Sequence, residues 1–340
     1  MRENFVLRYR KGRHLKKRVV NIKVDGSTSY KVEIAILFLP LQLHEEERKF
    51  RQTIRADPQL IIPYGGDIFS LFTDGPLLDF FVMDVSGHGL FCRGLSRQLI
   101  RYATLNRKRV DIIEQISHKW EGDKAHLLRE AERQLRKDIE KARGLGYHPS
   151  LIGEYLRKLE QGPFEGIFVS ACQSIIDLRK KAIYFRNFGH PSQYCLLVLP
   201  NGKTWLKSFS PDTSILMSDS KLPKISGKFF QIPRGVNNFR LVLFSDAILE
   251  QVVKIDHSNH VNLLSQLEDP KLKRRYHQAM TRSFKDRRAT SNLLVYTIRN
   301  TAKKPPEQVA KFFYDYLLGL NQETQGDDIT FAVIDFKRKP

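Results

Sequence analysis

Cysteine is scarce in this 340-residue chain: three, at positions 92, 172 and 195, odd in number and far apart. That pattern argues against a disulfide framework, shows no metal-ligand spacing and points to a reducing cytoplasm. Long hydrophobic runs are missing too. The longest, "IAILFLPLQL", is interrupted by Pro40 and preceded by Glu33, well short of the roughly 20 apolar residues a membrane-spanning helix needs. The N-terminal "MRENFVLRYRKGRHLKKRVV" is basic but has no apolar stretch of the kind a secretory signal requires. Internal repeats, low-complexity tracts and linker-like segments are absent, so a single domain is expected. Acids are in deficit: 37 Asp and Glu against 57 Lys and Arg, a net charge of +20.

What is present is enough to build a core. Hydrophobic residues make up 41% of the chain and Phe alone occurs 22 times, which excludes global disorder. Basic residues crowd the first 24 positions and "KLKRRYHQAMTRSFKDRR", 271–288. Clusters of this kind suit nucleic acid, an anionic membrane, an acidic protein or plain solvation, and neither carries a nucleic-acid motif.

Apolar patterning groups strands at the front, middle and end of the chain. "YKVEIAILFL" (30–39), "DIFSLF" (67–72) and "LLDFFVMDV" (77–85) come first, and "GIFVSACQSIID", "KAIYFRNF", "QYCLLVLP" and "TWLKSFS" follow later. "FRLVLFSDAILE" and "GDDITFAVIDF" complete the set. Helical periodicity occupies 90–103, 257–283, 291–299 and 305–319. Between the first strand groups, "KAHLLREAERQLRKDIEKA" spaces Leu127, Ala131, Leu135 and Ile139 four apart, one narrow apolar stripe on a charged helix. Strands grouped with helices between them predict an α+β domain. The expected layout is a basic N-terminal arm over 1–29 and one domain over 30–340, with a helical insertion around 119–160.

Four of the strands meet an acid at one end. Asp67 follows two glycines, Asp84 and Asp246 close apolar runs, and Asp327 and Asp328 precede the last strand. No Lys or Arg lies within three residues of Asp84, Asp246 or Asp327. A lone acid of this kind is ordinarily a cap or turn former. Several ionised carboxylates against a core are costly unless something offsets their charge, and an all-oxygen set suits Mg²⁺ or Mn²⁺.

"GGDIFSLF", "DFFVMDVSGHG", "RNFGHPSQYCLL", "LVLFSDAILE" and "GDDITFAVI" stand in the order and spacing of one family. They resemble the metal-dependent protein serine/threonine phosphatases of PPM type, in the bacterial SpoIIE-like branch. The resemblance runs from about residue 30 to 336. It implies a four-layer α-β-β-α sandwich of two antiparallel sheets with two Mn²⁺ or Mg²⁺ ions at one rim. Asp84 would bridge both ions and the Val85 carbonyl would bind one. Asp246 and Asp327 would complete the second, Asp67 would act directly or through water, and Asp328 falls where relatives carry an amide behind the ligands. His88 has the intrinsic acidity of a general acid. Related enzymes, however, carry their histidine two residues after the bridging acid, where this chain has Ser86, so His88 fits equally a turn. His190, between Gly189 and Pro191, reads as part of a tight turn between strands. Ala247 replaces the family's glycine, and Phe91 and Arg93 are bulkier than the small residues usual there.

The implied activity is hydrolysis of phosphoserine or phosphothreonine on a regulatory protein, such as a STAS-type anti-sigma-factor antagonist, in partner switching. Two other classes remain open on the residues: a catalytically impaired phosphatase that binds phosphoproteins, and a basic binder of nucleic acid or membrane surfaces.

Overall fold

The computed structural model of the chain describes residues 2–7, 15–39, 67–85, 168–211, 227–246, 297–318 and 329–339, with shorter helical pieces between them. Twelve strands are defined: β1 (Arg2–Leu7), β2 (Leu15–Lys23), β3 (Ser29–Leu39), β4 (Ile68–Asp74), β5 (Leu77–Val85) and β6 (Val169–Asp177). The others are β7 (Ala182–Phe188), β8 (Gln193–Val198), β9 (Thr204–Phe209), β10 (Lys228–Gln231), β11 (Asn238–Phe244) and β12 (Ile329–Lys339). One helix, α1 (Pro306–Leu318), has defined bounds.

The strands form two six-stranded sheets. The first runs β1-β4-β5-β6-β7-β10 and the second β2-β3-β12-β11-β8-β9, with every ladder antiparallel. β5 shows why its sequence reads as an unbroken apolar run. Leu78, Phe80 and Val82 enter the core between the sheets, while Phe81, Met83 and Val85 on the opposite face are also fully buried. A strand covered on both sides has no use for polar alternation.

Aromatic rings join the two sheets. Phe80 meets Phe336 edge-on at 5.9 Å, and Phe185 stacks on Phe209 at 4.6 Å. On the outer face of the second sheet, Leu37, Leu196, Phe244, Phe331 and Val333 form a separate apolar cluster. Leu294, Ile298, Val309, Ala310 and Phe313 complete it, which seats α1 and the turn of helix before it on that face. Helical Leu95, Leu99, Leu127, Ala131 and Ile139 are buried as well, in line with the predicted stripe; Leu135 lies outside the described residues.

The first residues differ from the charge-based expectation of an arm. Residues 2–7 and 15–23 are strands, and each forms an edge, one per sheet. The basic character of β2 fits that position, because charged side chains on an edge strand discourage pairing with other chains. Val19, 54% exposed, and the core residue Ile22 lie on opposite faces of β2, whose burial alternates from residue 17 to 23. Among the described residues, no helix is long and apolar enough to cross a membrane.

Candidate metal-binding rim

Asp67 and Asp84 are brought together by backbone register. Ile68 faces Met83 in the β4–β5 ladder, and one further step sets Asp67 across from Asp84. Alternation places Asp84 on the same face as Leu78, Phe80 and Val82, and Asp67 on the same face as Phe69 and Leu71. Both carboxylates therefore turn toward the space between the sheets, where both are buried. Val85, the last residue of β5, is fully buried beside them.

Asp246 belongs to the other sheet. It stands two residues past β11, in a half-buried turn. Ser245 extends the β11–β12 ladder: its N–H donates to the Thr330 carbonyl at 2.9 Å, and its Oγ accepts from the Thr330 N–H at 2.9 Å. The turn with Asp246 is thus held beside the start of β12, the strand that Asp327 and Asp328 lead into. Those two acids lie outside the described residues, as do His88 and Ala247.

The crossover from β7 to β8 links the two sheet ends. At the first sheet, β6 sets Ser170 opposite Asp84, and Gly189 bridges to Ala171 just past the end of β7. Gly189 takes φ 74°, a left-handed conformation that a side chain would strain, so the chain can turn out of one sheet within a residue. Four residues later β8 begins in the second sheet, and its first residue, Gln193, bonds to Phe244 at the end of β11. The end of the first sheet that carries Asp67 and Asp84 is therefore tied through residues 189–192 to the end of the second that carries Asp246.

His190 sits inside this crossover. It is fully buried, a 2.6 Å hydrogen bond joins its Nδ1 to Ser170 Oγ, and burial pulls its pKa down to about 3. A neutral imidazole is the consequence, which rules out proton donation by His190 near pH 7. Where a tight turn between strands was expected, residues 189–192 cross from one sheet to the other, and His190 is buried within that crossover.

The donor chemistry at this rim fits a hard divalent cation. Two buried carboxylates on neighbouring strands repel each other, and oxygen ligands are those that Mg²⁺ and Mn²⁺ take. The described residues alone do not gather three or more His, Cys, Asp or Glu side chains around one point. Cys172 and Cys195 are buried in the core, and desolvation raises both thiols well above their usual range, so neither is a ligand or nucleophile.

No family model matches the chain, and no curated protein matches it. Solved structures do. The RsbU and RsbW domains of a Mycobacterium tuberculosis protein match at 15% identity and a TM-score of 0.48, over 90% of this chain and 60% of that one. The PP2C domain of SiaA from Pseudomonas aeruginosa matches at 14% identity and a TM-score of 0.46, over 89% of this chain and 85% of that one. RsbX in complex with magnesium matches at 9% identity and a TM-score of 0.44, over 95% of this chain and all of that one. The two six-stranded sheets, with helix on the outer face of the second, make an α+β sandwich. In this sandwich, Asp67, Asp84 and Asp246 stand at the ends of two facing sheets. Gln193 and Ser170 gave no signal in the sequence, because each gains its place from a strand remote in the chain.

Proposed function

We propose that the protein is a Mn²⁺- or Mg²⁺-dependent phosphatase of phosphoserine and phosphothreonine in a regulatory protein. The observation that carries this reading is the convergence at one rim: Asp67 and Asp84 lie side by side, and the β7–β8 crossover ties their sheet end to the one that holds Asp246. Asp67, Asp84, Asp246, Asp327 and the Val85 carbonyl would hold two divalent ions, with Asp328 close behind. When bound, such ions acidify a coordinated water and offset the negative charge of a phosphoryl group.

The chain's own residues supply the rest. Burial of Asp67 and Asp84 keeps bulk water from competing for their oxygens. Burial keeps His190 neutral and unsuited to protonate the leaving seryl oxygen, and His88, four residues after Asp84 in the sequence, is the candidate acid. A net charge of +20 favours encounter with a phosphorylated, acidic substrate, of which a STAS-type anti-sigma-factor antagonist is one.

Hydrolysis of p-nitrophenyl phosphate and of a phosphoserine peptide, with Mn²⁺, Mg²⁺ or EDTA, tests the reading. Wild type should turn over both substrates with metal and neither with EDTA. Asp84→Asn should lose about a thousandfold or more, as expected when a metal-activated water is lost. Wild type that is folded and inactive with every metal would overturn the reading.

A further inference from the structure

Backbone pairing between β8 and β11 ends at Tyr194 and Val242, short of the turn that carries Asp246. Beyond that point a side chain takes over. The Gln193 amide accepts from the Phe244 N–H at 2.6 Å and donates to the Phe244 carbonyl at 3.0 Å. Its second N–H donates to the Pro191 carbonyl at 2.7 Å, and that same carbonyl accepts from Asn187 Nδ2 at 3.0 Å. Gln193 and Asn187 are fully buried. One amide thus acts as an extra rung for β11 and also anchors the crossover, whose other end is fixed by the His190–Ser170 bond opposite Asp84.

We propose that Gln193 is a positioning residue, whose clamp on Phe244 and Pro191 sets the spacing between Asp84 and Asp246 and so the affinity of the rim for a divalent cation. The inference rests on the phosphatase reading. An amide suits this place because both of its N–H groups and its oxygen are used at once. A carboxylate would set oxygen against two carbonyls, and a shorter amide would not reach. Loss of the clamp leaves the buried Phe244 N–H and carbonyl without these bonds, so some stability is lost with it, and Mn²⁺ affinity is the readout that separates positioning from stability. The clamp's effect falls on the short step from Phe244 through Ser245 to Asp246. Groups that orient metal-binding carboxylates without touching the metal typically change affinity 10- to 100-fold when removed.

The test is Mn²⁺ binding to the full chain without substrate, read from the electron paramagnetic resonance of free Mn²⁺, beside melting temperature and turnover at saturating Mn²⁺. Gln193→Met keeps the length and removes all three bonds. It should weaken Mn²⁺ binding about tenfold or more, while saturating Mn²⁺ returns turnover to within about threefold of wild type. Ser170→Ala, a smaller change at the other end of the crossover, should weaken binding in the same direction by about threefold. Ile22→Ala, a core change on β2 at the opposite edge of that sheet, should lower the melting temperature and leave Mn²⁺ affinity alone. Folded Gln193→Met with wild-type affinity overturns the proposal while Asp84→Asn, by losing binding, upholds the phosphatase reading. If wild type itself binds no Mn²⁺, both fall.

Discussion

Replacing Asp335 by Leu should destabilise the protein more than replacing Asp335 and Arg240 together. Both residues are buried on the outer face of the second sheet, where Arg240 on β11 faces Asp335 on β12. The pair is bidentate: Nε to Oδ1 at 2.5 Å and Nη2 to Oδ2 at 2.8 Å. The guanidinium also donates to the carbonyls of Thr301, at 2.8 Å, and Lys304, at 2.6 Å, pinning the turn that leads into α1. Loss of the acid alone leaves a guanidinium without its counter-charge against an apolar face, a loss of about 3–5 kcal/mol. Against a total stability of roughly 5–15 kcal/mol this is severe. The unfolding entropy of a chain this long is about 0.7 kcal/mol per degree, so the melting temperature should fall by about 4–7 °C. In Arg240→Met/Asp335→Leu no charge is stranded, and the freed carbonyls lie where they are only partly buried. Urea unfolding of the two single variants and the double variant measures the difference. A double variant that loses the sum of the single losses would refute the reasoning, as would an Asp335→Leu loss under about 1 kcal/mol.

Two further outcomes follow from single contacts. His190 is neutral when folded, with a pKa of about 3 against 6.5 when exposed. Stability is therefore intact above about pH 6.5, and is lost as the pH falls toward 3 because the unfolded chain takes up a proton that the folded one refuses. The slope reaches about 1.4 kcal/mol per pH unit, and His190→Gln should flatten it; equal slopes in chemical denaturation at pH 4–6 would contradict this. At Gly227 an added Cβ would stand 2.5 Å from Tyr184 Cζ and 2.7 Å from its Oη, under a ring that Arg186 overlies at 5.0 Å. Gly227→Ala should cost about 1–3 kcal/mol in wild type and close to nothing in Tyr184→Ala, by thermal melts of the four combinations.

The strands that the sequence makes legible are those whose burial is lopsided or complete. β5 was expected at 77–85 and is found there, because an apolar run covered on both faces has no rival reading. Asp67, Asp84 and Asp246 were recognisable as acids that break such runs, and register sets the first two side by side. β2 was not legible: "LKKRVVNIK" carries four basic residues, and its less exposed positions 16, 18, 20 and 22 include Lys16 and Arg18, so its alternation in burial has no counterpart in residue type. Gln193 was invisible for a different reason. A glutamine at a strand start is ordinary until β11, some fifty residues on, places Phe244 against it.

The position of β12 has a consequence for how the molecule comes into being. It is the last of the twelve strands to leave the ribosome, yet it lies in the middle of its sheet, with β3 on one side and β11 on the other. Until it arrives, β2-β3 and β11-β8-β9 are separate pieces with two bare edges, open to pairing with other chains. The same eleven residues also hold the turn bearing Asp246, through the two bonds between Thr330 and Ser245. Closure of the second sheet and anchoring of the Asp246 turn are therefore one event, and a nascent chain cannot fix that turn while its sheet is still open.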